Sequence, residues 1–115
     1  MEHRELVAAL VKPGAAIVDS LTPEKAHLLH MVVGVAGESG ELLDAIKKHV
    51  IYNKEADREN VIEELGDIEF YMEGLRQGLG ITREETLAHN IRKLSARYEK
   101  LAYSDASAVA RADKA

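Results

Sequence analysis

Two acidic pairs hold most of the chemistry available to this chain. Glu38 and Glu41 stand three residues apart in Glu38-Ser39-Gly40-Glu41, and Glu64-Leu65-Gly66-Asp67 repeats the spacing with Glu64 and Asp67. Both pairs sit inside apolar stretches that read as helix. Residues at i and i+3 share a helix face, with Cβ atoms about 5–6 Å apart. Charged side chains are seldom buried unless they are paired or metal-bound. If the two helices pack together, four carboxylates converge on one spot, and such a set needs a cation. Oxygen-only ligands suit a hard one such as Mg²⁺ or Mn²⁺. The spacing reads as a metal site.

A second polar set follows. Asn90, Lys93 and Arg97 recur at i, i+3 and i+7, with Tyr98 beside them. An amide, an ammonium and a guanidinium on one face suit phosphate oxygens. A solvated face with ordinary ion pairs is the plainer reading of that set taken alone. Beside two acidic pairs it changes weight, because a polyphosphate needs both a metal and cations. Upstream of Glu38, the residues His27, His30 and Met31 are placed to meet a base, although a lone histidine on such a face is commonly structural. Gly34, Gly37 and Gly40 stand three apart in the same segment, and each costs about 1 kcal/mol relative to Ala in a helix interior. They read as close helix packing, as a clear floor beside the acidic pair, or as both.

The elements that must position these residues are marked by their ends. Thr22-Pro23 with Glu24 starts a helix that runs to about Val50 or Tyr52. Its wheel carries His27, Met31, Gly34, Glu38, Glu41 and Ala45 on one face and Leu28, Val32, Val35, Leu43 and Ile46 on the next. A helix apolar around most of its girth is central, and in so short a chain a second subunit supplies part of its cover. Residues 52–57 connect to a helix from Arg58 to about Leu79, capped by Asp57 and stopped by Gly80. Its apolar positions are Val61, Ile62, Leu65, Ile68, Phe70, Met72 and Leu75, while Glu59, Glu63, Glu69, Glu73 and Arg76 read as solvated. Thr82 and Glu85 make a capping box that opens a last helix to about Leu101. Glu2 to Val11 forms a short amphipathic helix closed by Lys12-Pro13-Gly14, and residues from Tyr103 onward read as a fraying tail. The organisation is thus an N-terminal helical extension (1–21), a helical domain (22–102) and a flexible tail (103–115).

Composition bounds the rest. The 115 residues suffice for one domain, and 46% hydrophobic content fills a modest core. Four Tyr, one Phe and no Trp leave the packing to aliphatic residues, as in helical bundles. The absence of cysteine excludes disulfides, thiolate metal sites and Cys nucleophiles. A net charge of −5 argues against non-specific nucleic-acid binding. No apolar run approaches the roughly 18–20 residues of a membrane span, and the N-terminus lacks a signal-peptide pattern. An all-α protein of the cytoplasm is expected, with no membrane and no nucleic-acid partner.

Residues from about His27 to Tyr98 resemble the MazG-like all-α nucleoside triphosphate pyrophosphohydrolases. The resemblance rests on E-x-x-E at Glu38 and Glu41, a spacer of 22 residues, E-x-x-D at Glu64 and Asp67, and the downstream Asn90-Ile91-Arg92-Lys93-Leu94-Ser95-Ala96-Arg97-Tyr98. The small single-domain form looks closest to phage or bacterial members, which would place it in a host cytoplasm if phage-encoded. The resemblance implies a helical bundle completed by oligomerisation and Mg²⁺-dependent hydrolysis of a (d)NTP to monophosphate and pyrophosphate, Mn²⁺ being able to substitute. It implies Glu38, Glu41, Glu64 and Asp67 as metal ligands, with Glu38 or Glu41 positioning the water. Lys93, with Arg97 or Lys48, would steady phosphates, and Asn90 would contact sugar or phosphate. Deoxy substrates and a homo-oligomer, a tetramer ahead of a dimer, are further implications; no residue selects the base. Two rivals use the same helices without turnover: a bundle for assembly and a metal-binding module. Neither explains matched acidic pairs followed by a cationic face.

Overall fold

The computed structural model describes residues 1–110, which contain six helices and no strand. In chain order they are α1 (His3–Leu10), α2 (Gly14–Ser20), α3 (Pro23–Val50), α4 (Arg58–Leu79), α5 (Arg83–Arg97) and α6 (Asp105–Ala110). The all-α architecture expected from the sequence is the one observed. Among the described residues no helix is long and apolar enough to cross a membrane.

The ends are set by local chemistry. Thr22 Oγ1 accepts from the Lys25 N–H at 3.1 Å, with Pro23 at the first helical position. Lys47, Lys48 and His49 fill the last turn of α3, where cations offset the helix dipole. Asp57 caps α4 by accepting from the Asn60 N–H at 3.0 Å. Gly80 stops α4 in the left-handed region, φ 68°, and its N–H reaches the Arg76 and Gln77 carbonyls. Thr82 and Glu85 form the reciprocal capping box at the start of α5.

The seam between α3 and α4 organises the molecule, and it is built from large side chains seated on glycines. A Cβ at Gly34 would overlap the Tyr71 ring, one at Gly74 would meet the Met31 Sδ, and one at Gly78 would meet His27 and Leu28. These pairs step backward along α3 as they step forward along α4, so the two helices run antiparallel in one fixed register. Met31 lies at the centre of the seam and is only 6% exposed. His27 Nε2 donates to the Gly74 carbonyl at 2.8 Å, and Tyr71 meets the rings of His30 and Phe70 edge-on.

Several sequence expectations change here. Of the three α3 glycines only Gly34 serves close packing; Gly37 and Gly40 face open space. Arg76, expected in solvent, has a side chain only 11% exposed, held by Glu73 at 2.9 Å and Glu69 at 3.9 Å. Its aliphatic stem lies along the helix while the head is paired. Ile62, Leu65 and Phe70, expected among the packing positions of α4, are exposed (55%, 49% and 68%) because they lie off the face that meets α3. Helix α5 ends at Arg97 rather than near Leu101, because Tyr98 leaves helical geometry and stacks against Tyr103 at 5.8 Å. In the expected tail, Ser104 Oγ accepts from the Ser107 N–H and α6 follows. Residues 111–115 lie outside the described residues.

Outside the seam the chain is open. Its radius of gyration is 19.7 Å, against about 13 Å for a compact domain of this length.

The seam generates a contrast between neighbouring glycines. Replacing Gly34 by Ala should destabilise the fold by about 1–3 kcal/mol through overpacking, despite alanine's better helix propensity. Gly37→Ala, where an added Cβ meets nothing within 4 Å, should stabilise by up to about 1 kcal/mol. Urea unfolding of the two variants beside the parent measures both signs.

Candidate metal and phosphate site

The seam register carries the acidic segments to the same level. Glu38 on α3 and Glu64 and Asp67 on α4 each place a carboxylate oxygen within 4.8 Å of the other two. Glu38 and Glu64 are half-buried and Asp67 is exposed. Glu41, one turn farther along α3, stands outside this trio and is exposed, but its charge still reaches Glu64.

Glu64 is the strained member. Its Oε2 is buried without any hydrogen-bond partner. Burial, then the Glu38 carboxyl and the charges of Asp67 and Glu41, push the Glu64 carboxyl above the ordinary glutamate range. A carboxylate in this position is compensated either by a proton or by a cation. Three oxygen donors from two helices, one of them buried and partnerless, fit a hard divalent ion. No nitrogen or sulfur donor belongs to the trio.

The remaining sequence-derived candidates fall in different places. Lys48 pairs with Asp44 at 3.0 Å one turn below, and that bond raises its pKa, with Glu41 adding to it. His27 and Met31 are engaged in the seam, and His30 packs against Tyr71. Asn90 and Tyr98 line a cavity of ≈390 Å³ with Ile91, Leu94 and Leu101. Arg97 lines another of ≈490 Å³ with Tyr98, Lys100 and Tyr103. Lys93 is half-buried on the same helix. The most extensive packing of α5 is with α6, so the cationic set of α5 does not share the α3–α4 seam.

Tyr71 escaped the sequence reading, and Arg76 was read as solvated. Tyr71 walls the seam one turn beyond Asp67, and its signal was an aromatic three-four spaced from the acidic pair. Arg76 lies farther along α4 and holds the Glu73 carboxyl below its usual range, with Gln77 assisting. Nothing in a single helix's pattern shows that Arg76 is covered.

Comparison with known proteins adds the following. The family model described as MazG nucleotide pyrophosphohydrolase domain matches residues 26–102. The chain is 27% identical over 95 residues to the "Gene 37 protein" of Mycobacterium phage L5, covering 78% of this chain and 79% of that one. No solved structure matches.

The state of Glu64 has a pH consequence in metal-free protein. A raised folded pKa contributes stability that is fully present below the ordinary glutamate pKa and is lost as pH rises through the folded value. Relative to Glu64→Gln, which lacks the titrating group, thermal midpoints in EDTA should therefore climb as pH falls toward the ordinary glutamate range. The depressed Glu73 acts in the opposite sense and below that window. A parent and variant whose midpoints run parallel across the range would contradict the account.

Proposed function

The chain belongs to the MazG nucleotide pyrophosphohydrolase domain family, and from that premise we propose that it hydrolyses a nucleoside triphosphate, deoxy forms included, to the monophosphate and pyrophosphate with Mg²⁺. The observation that carries this reading is the trio of Glu38, Glu64 and Asp67 with the partnerless buried Oε2 of Glu64. These three carboxylates would hold the ion, and Mn²⁺ satisfies the same donor set. When bound, the ion supplies counter-charge and Lewis-acid polarisation to the phosphates.

The chain's own residues do the rest. Glu41 is exposed and stands one turn beyond the trio, with its charge still reaching Glu64. It is suited to orient the attacking water and take its proton, with Glu38 the other candidate. The water oxygen forms a bond to the α-phosphorus, the bond from that phosphorus to the bridging oxygen breaks, and pyrophosphate leaves with the electron pair. Asn90, Lys93 and Arg97, with Lys48, would receive the phosphate oxygens. Since α5 does not share the α3–α4 seam, a homo-oligomer, a tetramer ahead of a dimer, would bring its cations to the acidic trio of another copy. The exposed apolar side chains of α3, Leu29, Val33 and Leu43 among them, support such an assembly. His27, His30 and Met31 would be the candidates to meet the base, with His27 and Met31 held in the seam and His30 against Tyr71. Residues 22–102 would be the catalytic unit, working in a cytoplasm.

Two measurements test the proposal. Incubation with a panel of (d)NTPs and Mg²⁺ should yield monophosphate and pyrophosphate with no diphosphate; orthophosphate with a nucleoside diphosphate would contradict attack at the α-phosphorus. Asp67→Asn removes one charge and keeps the shape. Turnover should fall by roughly two orders of magnitude or more, the scale on which loss of one charge-stabilising group acts. The metal-free variant should be at least as stable as the parent, since functional sites carry a stability cost. The parent should also gain about 2.7 kcal/mol at a hundred times the Mg²⁺ dissociation constant, and the variant much less. A variant less stable in EDTA yet fully active would overturn the site.

A further inference from the structure

Beyond its last turn α5 folds back toward α6, away from the α3–α4 seam. Leu101 turns the chain in the left-handed region, φ 54°, and its N–H donates to the Tyr98 carbonyl at 2.8 Å. A leucine is strained there, and strained backbone of this kind gathers at ligand sites. The turn sets the Tyr103 ring against that of Tyr98, with centroids 5.8 Å apart and planes tilted by 38°. The Tyr103 hydroxyl donates to Asp105 in the first turn of α6, which holds the outer ring in place. Between the turn and α5 lies a cavity of ≈390 Å³, walled by both tyrosines, Leu94 and Leu101, with Ser95 and Asn90 as its polar members. None of its described lining residues is charged. An adjoining cavity of ≈490 Å³ shares both tyrosines and adds Arg97 and Lys100 against Glu99.

We propose that the uncharged cavity holds the base of the nucleoside triphosphate, stacked on Tyr98 and Tyr103. Apolar and aromatic walls with a few polar groups suit a flat neutral ring better than a phosphate. Aromatic faces stack against any base, and the Ser95 hydroxyl offers a base edge both a donor and an acceptor. The phosphates then lie along Asn90, Lys93 and Arg97, the stripe of α5 that borders the cavity. From Asn90 to Tyr98 the helix covers about 12 Å, room for a nucleotide laid out from phosphate to base. The candidates on α3 are already engaged, His27 with Gly74, Met31 in the seam and His30 against Tyr71, so a base there would displace packing. Tyr103 and α6 lie beyond the family match, so a segment particular to this chain supplies one wall. The inference rests on the proposed triphosphate hydrolysis and places the base on α5.

The test uses the full chain with Mg²⁺ and the (d)NTP it turns over fastest. Tyr103→Leu removes the outer ring, whereas Tyr103→Phe keeps the ring and removes only the hydroxyl. KM should rise about five- to 150-fold in Tyr103→Leu, the loss that one base–aromatic stack gives, with kcat within about twofold of the parent. Tyr103→Phe should keep a KM near that of the parent. Tripolyphosphate, which has no base, should inhibit the parent and Tyr103→Leu equally. An unchanged KM in Tyr103→Leu, or a matching loss of tripolyphosphate inhibition, would overturn the base site and leave the hydrolysis standing. If the parent turns over no (d)NTP, the catalytic reading fails and binding decides the cavity. In EDTA, saturation transfer from the protein to the base protons of deoxynucleoside monophosphates should appear with the parent and vanish with Tyr103→Leu. Its absence from the parent, or its survival in the variant, would overturn the site.

Discussion

The fold depends on the fit of Tyr71 over Gly34, Met31 over Gly74 and Leu28 with His27 over Gly78. Each glycine gives up about 1 kcal/mol of helix propensity and removes the side chain that would hold the helices apart. Because bulk comes from α3 at two levels and from α4 at the third, sliding either helix by one turn would set bulk against bulk. A one-turn slip would also separate Glu38 from Glu64 and Asp67. The seam is thus a ruler as well as a core, and the acidic trio is read off its far end.

At that end the packing logic inverts. The glycine-rich part of the seam interlocks around Met31 and pairs a polar group across the helices in the bond from His27 to Gly74. The acidic part leaves the Glu64 Oε2 buried and unmatched, with like charges on both sides. Such an arrangement opposes folding in the absence of a counter-charge. It persists because the hydrophobic and interlocking contacts lie elsewhere along the same two helices. Gly37 and Gly40, which contribute nothing to the seam, leave open space on α3 around Glu38.

Helix existence was legible in the sequence because caps are local. Thr22-Pro23, Asp57, Gly80 and the Thr82–Glu85 box all act within one turn of chain and do what their types predict. The acidic spacing was legible for the same reason: i and i+3 share a face whatever lies opposite. What faces what was not. Arg76 is covered because of its fit beside Glu73 and Glu69, and Phe70 is uncovered along with Leu65 and Ile62, although Ile68 and Met72 between and beyond them are half-buried. Gly34 and Gly37 are alike in sequence, and only the position of Tyr71 distinguishes them. The meeting of Glu38 with Glu64 and Asp67 required the register, whereas the main packing of α5, against α6, follows from no spacing within α5 itself.

The connection between α3 and α4 spans only residues 51–57, with His49 Nδ1 held to the Lys54 carbonyl. Every contact of the seam is therefore made within one helical hairpin, and the closure entropy for its first contacts is small. Topologies of this kind form on the microsecond-to-millisecond scale. The rest of the apolar surface has no such local partner. Formation of the acidic trio is thus a first-order event of one chain, independent of how much of the protein is present. Newly made protein would acquire its carboxylate cluster at the same rate whether scarce or abundant, so neither dilution nor synthesis rate sets when the trio assembles.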